Sequence, residues 1–315
     1  MGQEFRLTIS KKEDFLSPEG YILDDNLFKA VEVALTLGQP LLITGEPGTG
    51  KTRLAHKIAL MLHEQTKGVF KKDPFEFFTK TSAVSSDLFY QYDALGHFHE
   101  ANLKEKTKSP DARKFIRLEA LGAAIAMSDE EHLGDNSYMK EAEPHSSVVL
   151  IDEIDKAPRD FPNDILNEID RFQFSIKETG ETFKKGKDQR IIVVMTSNTE
   201  KNLPDAFLRR CVYYHIDFPN PEQLFNIVST RLTSLVESHE DAVRSAIRYF
   251  NQVRQKVNRR PPATAELLAW LKILEVEGFM KSDLDFAKLS DEEKNILTFS
   301  HSVLVKNKAD LDLLD

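Results

Sequence analysis

The chain has 315 residues, 41% hydrophobic and 30% charged, with a single cysteine and a formal net charge of −9. That length provides for about two domains with a core that needs no staples, and one cysteine, Cys211, excludes an internal disulfide framework and a Cys-rich zinc site and suits a reducing, cytoplasmic setting. An acidic chain is no general binder of nucleic acid or anionic membrane, and no apolar run approaches the ~18 residues of a bilayer span.

Residues 1–10 carry Glu4 and Arg6 and lack the apolar stretch of a secretion signal. Arg6 stands where an acylation signal after Gly2 wants Ser or Thr. Residues 1–40 read as a lead-in strand, a loop and a helix. Leu27, Phe28, Val31, Ala34 and Leu35 have helical spacing over 25–37, and Gly38 ends it. Residues 40–44 form a short apolar strand, followed by a helix over 51–63 with Leu54, Ala55, Ile58, Ala59 and Leu62 on one face. The aromatic stretch 75–81 predicts a second strand whose Phe75, Phe77 and Phe78 enter the core. Residues 82–118 predict an inserted helix and hairpin with a charged exposed loop at 104–108, and 118–127 a helix. Residues 148–151 are fully apolar, as a parallel strand buried on both faces requires. A helix over 161–169, a hairpin over 172–183 turning at Thr179-Gly180, and an apolar strand over 191–196 complete an alternating pattern that argues for a parallel α/β sheet. Phe218-Pro219-Asn220-Pro221 marks a linker. Beyond it, apolar stripes such as Leu224, Ile227, Val228 and Leu235, or Leu267, Trp270, Leu271 and Leu274, are helical throughout. The expected organisation is an α/β domain over 1–218 and a smaller helical one over 219–315.

Residues 45–52 read Gly45, Glu46, Pro47, Gly48, Thr49, Gly50, Lys51 and Thr52, the spacing G-x-x-x-x-G-K-T between an apolar strand and an amphipathic helix. Glycines let backbone N–H groups face a phosphate, and the helix N-terminus adds its positive end. Lys51 is expected on the β- and γ-phosphates, and Thr52 on Mg²⁺. The apolar run ending in Asp152-Glu153 delivers two carboxylates to the edge of the sheet where ligands bind. Asp152 is read as orienting Mg²⁺ and Glu153 as the general base that polarises water. Asn198 follows the third apolar strand and is read as a ligand of the water or γ-phosphate. Arg209 and Arg210 end a short helix, where they either support its C-terminus or reach the nucleotide of a neighbouring subunit. Asp155 and Lys156 are read as surface or interface charges.

With those residues in place the chain resembles an AAA+ ATPase, a P-loop NTPase with an α/β core and an all-α lid. It is closest in pattern to the MoxR-type branch, with McrB-like relatives second. "PLLITGEPGTGKT" resembles the Walker A segment, "VVLIDEIDKAPRDFPNDILNEID" Walker B and its following helix, "VVMTSN" sensor 1, and "LPDAFLRRC" the arginine-finger segment. "TSAVSSDLFYQYDALGHF" with "FIRLEALGAAIA" resembles the insert in helix 2, and 172–183 the hairpin before sensor 1. The resemblance implies ATP and Mg²⁺, a homo-oligomeric ring, in this family a hexamer, and a partner protein to remodel, in MoxR relatives often of von Willebrand A type. It aligns Arg210 with the finger, Arg209 being the alternate. It also implies a lid arginine where this chain has Thr264, with Arg259 and Arg260 just upstream. Two other functions stay open at this point, a nucleotide-dependent assembly switch and a nucleic-acid-linked NTPase.

Other signals are set aside. His97 and His99, read on one strand face, lack the further ligands a zinc site needs. Cys211 lies beside arginines that favour a thiolate, yet reads as an inert helix-end thiol. Tyr21 and Ile22 read as core or as a platform for the base, and the acidic stretch 310–315 as a solvated end.

Overall fold

The computed structural model describes residues 17–103, 110–134, 138–139, 143–199, 203–257, 259–281 and 284–314. The readings made on residues 1–16 and on the charged stretch 104–108 lie outside them. Contacts divide the described chain into residues 21–218 and, as a second unit, residues 17–20 with 219–314. The lead-in, read with the α/β domain, thus divides at Gly20.

The larger unit opens with α1 (Asp25–Leu37), whose N-cap Asp24 accepts the Leu27 N–H at 2.8 Å. It continues through β1 (Leu41–Gly45), α2 (Lys51–Gln65) and β2 (Phe75–Phe78). Next come β3 (Tyr90–Tyr92), α3 (Ala94–Leu103), β4 (Ile116–Leu118) and α4 (Ala120–Met127). Then follow β5 (Ser147–Asp152), α5 (Phe161–Arg171), β6 (Gln173–Ser175), β7 (Thr182–Lys184), β8 (Ile191–Ser197), α6 (Asp205–Leu208) and β9 (Val212–Ile216). Among the described residues five parallel strands form one sheet in the order β2-β5-β8-β1-β9. β3 pairs antiparallel with β4, and β6 with β7.

The apolar runs read from the sequence are the three inner strands. Leu42, Val149, Ile151, Val193 and Met195 join one core cluster with Leu121 and Ile125 of α4 and Ile165 and Leu166 of α5. Their neighbours Leu41, Ile43, Val148, Leu150 and Val194 join the other, with Leu27 and Val31 of α1 and Leu54 and Ile58 of α2. Both faces are covered, so no alternation is needed, and each fully buried side chain contributes about 1.5–3 kcal/mol. The register sets the site: Ile151 lies beside Met195, which brings the next residues, Asp152 and Thr196, together at the carboxyl edge.

Several expectations are corrected. β9 was not foreseen: Val-Tyr-Tyr-His-Ile alternates between half-buried and exposed positions on an edge strand and so lacks an apolar run. The helix expected from 118 begins at Ala120, after β4. His97 and His99 lie on α3 rather than a strand. His97 stacks on Phe115 at 4.7 Å between rings and contacts the Tyr92 hydroxyl and the Pro110 carbonyl. Phe78 is 58% exposed instead of entering the core.

In the second unit, α7 (Pro221–Arg231) starts at a capping box of Asn220 and Gln223. It is followed by α8 (Thr233–Lys256), broken at His239, and by α9 (Thr264–Val276), α10 (Asp291–Leu304) and the short α11 (Lys308–Leu311). Trp270 is fully buried and donates its indole N–H to Ser300 Oγ at 2.9 Å. Tyr249 stacks on Phe286 at 4.4 Å, and burial raises its hydroxyl pKa to about 12. The acidic stretch is not simply solvated, since Asp310 is buried and its N–H bonds Asn307 Oδ1.

Candidate functional site

Four chain segments meet at the carboxyl edge of the sheet. The loop between β1 and α2 turns through Gly45, Gly48 and Gly50, all with positive φ. A Cβ on Gly45 would sit 2.5 Å from the Ile216 carbonyl, so only glycine fits beside β9. Thr49 closes the turn by donating its hydroxyl to the Glu46 carbonyl at 2.8 Å. Gly50 is the N-cap of α2 and offers no side chain to the first-turn N–H groups. The Tyr21 ring packs over it, 3.0 Å from where a Cβ would stand, while Ile22 is 47% exposed. Burial and the nearby Asp24 raise the Tyr21 pKa.

Lys51 is buried, and all three of its N–H bonds have acceptors. They are the carbonyls of Gly45 at 2.8 Å and Glu46 at 2.9 Å, and Asn198 Oδ1 at 2.9 Å. Burial lowers its pKa below the usual lysine value, while Asp152, Asp155, Glu153 and Glu46 pull it back up. Thr52 donates its hydroxyl to the Asp152 carboxylate, 3.1 Å from each oxygen. A Thr hydroxyl beside a carboxylate is an oxygen donor set of the kind Mg²⁺ takes when substrate phosphates complete its shell. Among the described residues no cluster of three His, Cys, Asp or Glu could hold a metal by itself.

Thr196, fully buried, was missed by sequence reasoning. Its hydroxyl donates to Asp152 Oδ1 and accepts the Glu153 N–H at 2.9 Å, so one side chain fixes both acids. Glu153 has φ 56° and ψ 49°, left-handed backbone that costs a non-glycine residue about 1–2 kcal/mol. Its carboxylate pairs with Lys156. Asp155, read as a surface or interface charge, is half-buried and accepts the Asn198 N–H at 3.2 Å, which positions the residue that meets Lys51. Thr44, one residue before the loop, has its hydroxyl 2.9 Å from both the Tyr213 hydroxyl and His215 Nδ1. β9 therefore braces the loop from the opposite side.

Arg209 and Arg210 are exposed and are not brought to these residues. Arg210 pairs with Asp170 at 3.6 Å. Cys211 donates to the Phe207 carbonyl, and burial, helped by Asp170, raises its pKa to about 12, against the thiolate its arginine neighbours would favour. Thr264 begins α9 with a buried hydroxyl that has no hydrogen-bond partner among the described residues, and Arg259 and Arg260 are exposed.

Residues 40–211 match the family model described as AAA domain (dynein-related subfamily). No curated protein matches the chain. Similar solved structures include three variants of RuvB from Thermotoga maritima. One is 17% identical, with a TM-score of 0.47, over 92% of this chain and 73% of that one. The others are 17% and 16% identical, with TM-scores of 0.48 and 0.46, over 91% and 90% of this chain and 72% and 70% of theirs. Similarity at this level carries no argument about activity.

Proposed function

From the premise that this chain belongs to the AAA family, in its dynein-related subfamily, we propose that it binds ATP with Mg²⁺ and hydrolyses it, and that it works as a MoxR-type ring, a hexamer, which remodels a partner protein. The observation that carries the reading is the meeting of Lys51 with Asn198 at 2.9 Å and of Thr52 with Asp152 at 3.1 Å. These residues come from three separate segments, the start of α2, the end of β5 and the residue after β8. Nothing in the packing of a sheet requires a buried ammonium at that point, and an anion-binding site does.

The roles follow from the donors and acceptors. Lys51 exchanges the Gly45 and Glu46 carbonyls for phosphate oxygens, and the loop N–H groups of 48–52 face the same anion. Thr52 and Asp152 would hold Mg²⁺, which when bound would neutralise charge on the phosphates. Glu153 accepts the proton of the attacking water, and its fixed N–H keeps the carboxylate at the strand end. Asn198 offers its amide to the γ-phosphate or that water. Arg210 acts on the nucleotide of a neighbouring copy. Its pairing with Asp170 is half-exposed, and such pairs are worth about 0–1 kcal/mol, so release is cheap. No helix among the described residues is long and apolar enough to cross a membrane.

Thr264 favours a second reading. At the start of α9 it offers a hydroxyl where the resemblance implies an arginine, which suits a nucleotide-dependent assembly switch with little turnover. Phosphate release by the purified protein, followed alongside sedimentation with and without ATP, separates the two. Steady Mg²⁺-dependent release supports the motor, and ATP-driven assembly without release supports the switch. Stimulation by an oligonucleotide, absent under either, would point to a McrB-like enzyme.

A further inference from the structure

Beside the edge strand β2 lies a half-open cleft of about 530 Å³. Phe77, Phe78, Tyr90 and Tyr92 line part of it. Phe77 is fixed by stacking on Phe161 at 6.2 Å, and Tyr90 by stacking on Phe174 at 6.4 Å. The Tyr90 hydroxyl also accepts the Lys177 N–H at 3.2 Å, so the β6–β7 turn is tied to the insert that carries β3. Both rings are thus set before anything binds. Phe78 projects into the same space and is 58% exposed.

The charges on the rim are not equivalent. The Asp87 carboxylate is occupied by the Val84 N–H at 3.1 Å. The ammonium groups of Lys80 and Lys177 have no ion pair or hydrogen bond among the described residues. Aromatic rings in one cleft with two uncompensated cations call for an apolar group carried between carboxylates. A polyphosphate backbone fits less well, because Asp87 and Glu178 on the same rim repel its continuous run of charge, whereas a polypeptide carries its carboxylates singly.

We propose that this cleft docks an extended polypeptide segment in which an aromatic or large aliphatic residue is flanked by acidic ones. The inference rests on the partner-remodelling reading for its purpose and names the chemistry of that partner. Thr79, the residue after β2, donates its N–H to the Asp152 carbonyl at 3.1 Å, which ties the strand beside the cleft to the proposed nucleotide edge. Peptide binding itself needs no nucleotide, so it is measured without any.

The test is fluorescence anisotropy on the full chain with a fluorescein-labelled octapeptide bearing phenylalanine between glutamates. The same peptide with lysines for glutamates and a ten-nucleotide thymidine oligomer are compared in parallel. Saturable binding of the acidic peptide is expected, weaker by about tenfold or more in the Lys80→Glu, Lys177→Glu double variant, because two attractive pairs become repulsive. Phe78→Ala weakens it as well, and the lysine peptide gains affinity for the double variant. Failure of the acidic peptide to bind, equal binding by the folded double variant, or binding of the oligomer alone overturns the inference. Phosphate release without peptide, measured on the same samples, reports on ATP turnover separately, and a normal melting curve shows the variants are folded.

Discussion

Lys51 and Asn198, 147 positions apart in the chain, meet at 2.9 Å through Nζ and Oδ1. The contact joins the loop after β1 to the end of β8, and it is the third acceptor of an ammonium whose other two are loop carbonyls. Asn198→Ala leaves that place open and, on the proposed reading, removes an amide from the phosphate. It is expected to lower kcat by about 10²-fold with little change in ATP affinity. Asn198→Asp puts a carboxylate on the same ammonium and beside the phosphates, and is expected to weaken ATP binding about tenfold. Titration calorimetry and phosphate release on the two variants check both directions.

Thr196 carries the second prediction. Thr196→Val keeps the shape but leaves the Glu153 N–H without a partner and Asp152 Oδ1 with only the Thr52 hydroxyl. Stability is expected to fall by about 1–3 kcal/mol, with kcat falling as well, and Thr196→Ser is expected to restore both. Urea denaturation and kinetics on the pair would show it. A valine variant as active as the parent would remove Thr196 from the account.

The depressed pKa of Lys51 sets a pH dependence. In the interval between its lowered value and the ordinary 10.5, the unfolded chain binds the proton more readily than the native one, so this group's contribution to stability rises with pH. Phosphate binding has the opposite sign because it needs the ammonium form. ATP affinity is therefore expected to fall as pH rises through a value below 10.5. Lys51→Arg, which stays charged, should lose that fall even if its affinity is lower throughout.

Arg210 is expected to act in trans. Arg210→Ala should reduce turnover by as much as about 10³-fold, while Asp170→Ala should leave stability and turnover near the parent's, since an exposed pair is worth about 0–1 kcal/mol. Mixing Arg210→Ala with Lys51→Ala should recover activity, because an intact loop from one copy then faces an intact arginine from the other. No recovery would place the arginine's role elsewhere.

The parts of the site legible in the sequence are those carried by contiguous residues. Gly45 to Thr52 and Asp152-Glu153 stand out by type and spacing and are brought to one edge of the sheet, and the inner strands stand out by uninterrupted apolar runs buried on both faces. Thr196 and Asp155 were illegible because their roles depend on which strands are neighbours and in what register. The Ile151–Met195 pairing, absent from any local pattern, makes a threonine the clamp on two acids. β9 hid for a related reason. An edge strand needs only one partner and tolerates Tyr213 and His215, the residues that reach Thr44. The left-handed backbone of Glu153 likewise gives no sign in a residue type that rarely adopts it.

The central claim is tested most directly by Glu153→Gln. Bound ATP and released phosphate are measured on one sample with Mg²⁺ present. The variant is expected to bind ATP as tightly as the parent and to release phosphate at no more than the background rate. Turnover equal to the parent's, or no ATP binding by either protein, would contradict the assignment of this edge of the sheet to nucleotide hydrolysis.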